Sequence, residues 1–88
     1  MTIYFNRVFV KKLHKLQKKD KRIAEELKEK LSVFSNDPLL PSLRLHKLQG
    51  KLATLWSISL SDSYRVIFAY VKNGIIFMDI GFHDEVYR

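Results

Sequence analysis

The sequence predicts an α+β domain in which an N-terminal strand and an αα-hairpin precede four further strands of a mostly antiparallel sheet. Three observations carry this reading. Apolar residues recur every three to four positions as far as Phe34 and then every second position after Pro41, so the hydrophobic period switches from helical to extended. Between the two regimes lies "SNDPLLPS", where two prolines and the Asn, Asp and Ser side chains favour turns over helix. Finally, 88 residues support one modest core that every element must share, so residues 1–88 read as one domain.

In chain order, "TIYFN" (2–6) reads as a short strand closed by Asn6, a good helix N-cap. From Arg7 to about Lys18, Phe9, Leu13 and Leu16 form an apolar helix face, with Lys11, Lys15 and Lys18 on another. A second helix runs from about Asp20, which is placed to cap it, to Phe34, and buries Ile23, Leu27, Leu31 and Phe34. In "LRLHKL", Leu43 and Leu45 alternate with Arg44 and His46, and Gly50 follows as a break. In "LWSISLS", Trp56, Ile58 and Leu60 alternate with serines. Two last strands, about 64–71 and 75–83, are joined through "KNG".

The register of that last hairpin decides where Arg65 points. A two-residue Asn73–Gly74 loop would place it among Ile76, Met78, Ile80 and Phe82, burying an unpaired charge at a cost of roughly several kcal/mol. A three-residue loop, Lys72 to Gly74, pairs Val71 with Ile75 instead. Then Tyr64, Val66, Phe68, Tyr70, Ile76, Met78, Ile80 and Phe82 lie under the helices. Arg65, Asp79 and His83 share the open face, Arg65 opposite Gly81 and diagonal to both Asp79 and His83. The same alternation sends Arg44, His46, Ser57 and Ser59 to the open face.

The net charge is +7, and the stretch from Arg7 to Arg22 accounts for it, with eight basic residues against Asp20. Such a run is either a basic face for polyphosphate or an acidic protein, or simply a solvated helix face. The absence of cysteine excludes disulfides, thiolate metal sites and a Cys nucleophile. His14, His46 and His83 lack ligand-like spacing, so no metal and no cofactor is expected. No apolar run approaches the roughly 18 residues of a membrane span, which points to a soluble cytoplasmic protein.

Two histidines flanking an arginine on one surface suit metal-free phosphodiester cleavage. One imidazole removes the 2′-hydroxyl proton, the other protonates the departing 5′-oxygen, and the guanidinium steadies charge on the phosphoryl oxygens. This chemistry needs the 2′-hydroxyl, hence RNA.

In this order, "LHKLQG", "LWSISLSDSYRVIFAY" and "IGFHDEVYR" resemble segments of the RelE/ParE superfamily of bacterial type II toxins, particularly its YoeB-like and YafQ-like branches, over the whole chain. The resemblance implies a RelE-like βααβββ(β) fold and an endoribonuclease that cleaves mRNA in the ribosomal A site and so inhibits translation. It implies that Arg65 binds the scissile phosphate, that His83 is the general acid, that Tyr87 stacks on or orients the nucleotide, and that His46 is the general base. Arg44, Lys47, Lys51 and Ser59 are the expected RNA contacts. The lysines that RelE uses on its middle strand are replaced by Trp56 and Ile58. The YafQ-like histidine further along that strand corresponds to Ser59, and an arginine of that branch's last strand to Asp79, a carboxylate placed to neutralise Arg65. The implied partners are a cognate acidic antitoxin, mRNA and the ribosome. Two other readings stand beside this one: a ParE-like DNA gyrase inhibitor, against which His83 and Tyr87 argue, and a catalytically weak member that only binds its antitoxin.

Overall fold

A computed structural model describes residues 2–37, 39–50, 54–61 and 63–82. The elements are β1 (Thr2–Phe5), α1 (Arg7–Lys19), α2 (Ile23–Asn36), a 3-10 turn (Pro41–Leu43), β2 (His46–Lys47), β3 (Trp56–Ser59), β4 (Tyr64–Val71) and β5 (Gly74–Phe82). They form the expected α+β architecture, with a five-stranded mixed sheet in the order β1-β5-β4-β3-β2. All neighbouring strands are antiparallel except β1 and β5.

Asn6 caps α1 as its position predicts: the Phe9 amide donates to Asn6 Oδ1 at 2.7 Å. Lys18 and Lys19 in the last turn complement the helix dipole. Asp20, in contrast, does not cap α2. Its carboxylate accepts the Arg22 amide two residues on, at 3.0 Å, which closes the turn between the helices and delays α2 to Ile23. Phe9, Ile23, Leu27 and Phe34 from the helices then pack on Ile58, Leu60, Val66, Phe68, Ile75, Phe77 and Ile80 of the sheet face beneath them.

Two segments differ from the expected pattern. Only His46–Lys47 of "LRLHKL" is strand; Pro41 starts a 3-10 turn that ends at Arg44, whose φ of 50° is left-handed. That turn drops Leu43 fully into the core, a placement that a strand-like L-x-L spacing imitates. The β4–β5 loop is also one residue shorter than predicted. Val71 pairs with Gly74, and Asn73 takes the left-handed φ of 68°. Near the turn, Ile75 and Phe77 therefore face the core in place of Ile76 and Met78, and Tyr70 is exposed. A β-bulge compensates: Phe68 pairs with Phe77 but Ile67 with Asp79, so Met78 is the extra residue. Beyond it the pairs are Val66–Ile80, Arg65–Gly81 and Tyr64–Phe82, as predicted.

Gly74 sits where β5 is flanked by β4 and β1, paired with both Val71 and Thr2. A Cβ there would run into the Thr2 backbone. Gly74→Ala is expected to push β1 from the sheet edge and cost about 1–3 kcal/mol in urea denaturation. A stability equal to wild type would show that β1 is not tightly held.

Candidate functional site

The face of the sheet away from the helices is assembled by strand alternation. His46 pairs with Ser57, and Ser57 with Ile67; one row on, Ser59 pairs with Arg65, and Arg65 with Gly81. These side chains alternate with Ile58, Val66 and Ile80, which are buried under the helices, so His46 and Arg65 share the opposite face. Two strand spacings and a two-residue offset separate their backbones by about 12 Å. On the same face Ser57, Ser59 and Ile67 are buried.

Arg65 is half-buried, and its Nη1 atom is buried without a hydrogen-bond partner among the described residues. An unsatisfied buried donor costs about 1–3 kcal/mol, and more when it is charged. An oxygen that reached such an atom would recover the hydrogen bond that folding has left unmade. Gly81, directly across, contributes no side chain to close the space.

The expected rival for Arg65 is engaged elsewhere. Asp79 Oδ1 accepts from Lys12 Nζ at 2.7 Å and from the Ile80 amide at 2.9 Å. The carboxylate that sequence parity aims at Arg65 is thus held by α1.

His46 is exposed, and its Nδ1 lies 3.0 Å from the Arg44 carbonyl oxygen. A carbonyl only accepts, so Nδ1 carries the hydrogen and the neutral ring keeps its basic lone pair on Nε2. The left-handed conformation of Arg44 turns that carbonyl toward the imidazole's own strand, which gives Arg44 a backbone role besides its exposed side chain.

The expected RNA contacts divide. Lys47 pairs with Trp56 in the row of Phe68, so alternation places it on the helix-side face, away from His46. Ser59 is buried, and its hydroxyl donates to the Ser61 carbonyl at 2.9 Å, so it is structural and not a surface contact. Lys51, His83 and Tyr87 lie outside the described residues. One feature of this face has little sequence signal: Leu48 and Ile67, with Leu55 packed on them, form a small apolar cluster, Leu48 and Leu55 lying beyond the His46–Ser57 pair on the side away from Arg65. The apolar Ile67 at an outward position of "YRVIFAYV" was its only signal.

A second surface lies on the helix side. Lys12, Lys15, Leu16, Lys19, Tyr64, Ile80 and Phe82 line a cleft of about 340 Å³. Tyr64 and Phe82 stack at its edge with ring centroids 4.8 Å apart. The cleft joins an apolar floor to three lysines of the basic stretch.

A family model described as a bacterial toxin of type II toxin-antitoxin system, YafQ, matches residues 1–88. The fold and the match define a RelE/ParE-superfamily type II toxin. Within that superfamily, the chain belongs to the YafQ toxin family. Among solved structures, it is similar to YafQ from E. coli strain BL21(DE3), with a TM-score of 0.81 and 19% identity over 99% of this chain and 98% of that one. It is also similar to a YoeB/ParE toxin from Agrobacterium tumefaciens, with a TM-score of 0.77 and 17% identity over 94% of this chain and 99% of that one. The E. coli DinJ–YafQ complex matches with a TM-score of 0.78 and 19% identity over 99% of this chain and 98% of that one. At these identities the likeness is one of fold. No curated protein matches the chain.

Proposed function

We propose that this toxin is a metal-independent endoribonuclease that cleaves mRNA, in the ribosomal A site, and so inhibits translation in the cytoplasm. The observation that carries the reading is the buried Nη1 of Arg65, without a hydrogen-bond partner among the described residues, on the same sheet face as His46, whose Nδ1 lies 3.0 Å from the Arg44 carbonyl oxygen.

In this mechanism, His46 Nε2 takes the 2′-hydroxyl proton, and the 2′-oxygen attacks phosphorus. The P–O5′ bond breaks, leaving a 2′,3′-cyclic phosphate and a 5′-hydroxyl, and Arg65 binds the phosphoryl oxygens as their charge grows. Protonation of the leaving oxygen falls to His83, and nucleotide stacking to Tyr87, both on the family resemblance. Arg44 and Lys51 remain candidate contacts to the RNA backbone.

The cognate partner in this reading is an antitoxin with an acidic segment. Complexes of E. coli YafQ with DinJ and of Staphylococcus aureus YoeB with YefM support it, as does the lysine-rimmed cleft of α1, whose charge and apolar floor suit an acidic amphipathic helix.

The test is to induce the protein and map 5′ ends on an mRNA with and without ribosomes. New ends and growth arrest are expected. Neither effect in either condition, or inhibition of gyrase supercoiling by the purified protein, would overturn the proposal. His46→Ala is expected to lower kcat by about 100-fold or more, the usual contribution of one acid–base group, with an unchanged urea midpoint. Full activity in that variant would remove His46 from the mechanism.

A further inference from the structure

We propose that Lys12 is a positioning residue for the phosphate site: by holding the Asp79 carboxylate at the edge of β5, it keeps the Arg65 guanidinium free to bind an anion. The inference deepens the reading of Arg65 as the phosphate-binding group and rests on it.

The sheet register sets up the conflict. Arg65 pairs with Gly81, and Ile67 with Asp79, so Asp79 is a diagonal cross-strand neighbour of Arg65. Such neighbours have backbones about 7–8 Å apart, a span that arginine side chains bridge readily. Ile80 is buried under the helices, and alternation therefore turns Asp79 toward the face of Arg65. With no other claim on it, this carboxylate would pair with the buried guanidinium, since an unpartnered charged donor next to a free acid is unstable relative to the ion pair.

The structure shows a different pairing. Within the described residues, β1 covers β5 only from Gly74 to Phe77, so Asp79 lies on a stretch of β5 that β1 leaves uncovered. The bulge at Met78 bends the strand just before it. Lys12 projects from α1 across that edge and takes Oδ1 at 2.7 Å, and the Ile80 amide fixes the same oxygen at 2.9 Å. Arg65 Nη1 is left buried without a hydrogen-bond partner among the described residues. A lysine on the first helix, 67 residues away in sequence, thus determines whether the arginine of the sheet is neutralised.

The arrangement makes predictions that a plain salt bridge does not. Lys12→Ala releases Asp79 to Arg65, whereas Asp79→Asn removes the competitor, although both break the same ion pair. The side-chain Nε–Hε resonance of Arg65 can be followed by NMR as inorganic phosphate is titrated into the full chain, in parallel with RNA cleavage kinetics. Lys12→Ala is expected to weaken phosphate binding about fivefold and to raise KM with little change in kcat. Asp79→Asn should bind phosphate at least as well as wild type, Lys12→Arg should behave as wild type, and Lys12→Ala/Asp79→Asn should recover the affinity lost by Lys12→Ala. If Lys12→Ala and Asp79→Asn fall together, the pair is merely structural and the proposal is overturned. If the double variant stays defective, Lys12 contacts the anion itself, which also overturns it. Phosphate binding is read without RNA, so a wild-type chain that binds phosphate at Arg65 in this Lys12-dependent way but cleaves no RNA would reject the nuclease reading alone.

Discussion

Replacing Arg65 with methionine should abolish RNA cleavage, lowering kcat/KM by about 100-fold or more, while leaving the protein as stable as wild type or more so. The first effect is the loss of a preorganised charge at the position where negative charge develops, which commonly contributes about 2.7–4 kcal/mol to the transition state. The second follows from burial. Nη1 is buried without a partner among the described residues, and an apolar side chain of similar length removes the penalty of that unmade hydrogen bond. A conventional structural arginine behaves oppositely, because its removal strands a partner. Arg65→Lys is expected to recover little activity, since an ammonium offers a point charge where the phosphate needs a planar fork. Urea denaturation and single-turnover cleavage on the same preparations check both halves. An Arg65→Met protein that unfolds at much lower urea would mean that the guanidinium is paired in solution, and one that cleaves normally would end its role in the chemistry.

Arg65 pairs with Gly81 as the hairpin parity predicts, but by another route: the loop is one residue shorter and the bulge at Met78 restores the parity, and Nη1 is buried without a partner among the described residues all the same. The path of the hairpin was less legible. "GIIFMDIGF" has four apolar residues in a row from Ile75 to Met78, so the two-residue period carries no information there, and a bulge can change parity without disturbing the pattern. Ser59 is also less exposed than its place on a polar strand face suggests. A polar strand face in the middle of a sheet need not be wet, and a serine can spend its hydroxyl on a nearby carbonyl, as Ser59 does with Ser61. The Lys12–Asp79 contact had no sequence signature at all, because no local rule couples a helix position to a strand 67 residues later. The same limit hid the parallel pairing of β1 with β5, which depends on how the helical hairpin returns the chain to the sheet.

The largest stability loss should come from Phe77→Ala, about 3–5 kcal/mol by urea denaturation. Phe77 is fully buried and pairs in register with Phe68 on β4 and Phe5 on β1. Its ring stacks on Phe9 of α1 at 5.2 Å and meets Phe5 at 5.7 Å and Phe68 edge-on at 6.1 Å. The Asn6 amide donates to the Phe77 carbonyl at 3.0 Å, so β1 passes into α1 at this residue. Alanine keeps that backbone bond but leaves a ring-sized void where three elements meet, and a close-packed interior collapses only partly into such a space. A domain of this length has about 4–13 kcal/mol of total stability, so the loss is a large share of it. The position also precedes the bulge, and Phe77 is the anchor that makes the parity change favourable. Without its ring, the rival register with Ile76 and Met78 inward loses its main competitor, and a one-residue slip would exchange the faces of β5. Phe77→Ala should therefore broaden or split the amide resonances of Ile80 and Gly81 under conditions where the chain is still folded, whereas Phe9→Ala, of similar size and burial, should destabilise without that signature. A Phe77→Ala protein within 1 kcal/mol of wild type, or one whose Arg65–Gly81 pairing is undisturbed, would show that the register is set by the turn at Asn73 and not by the aromatic cluster.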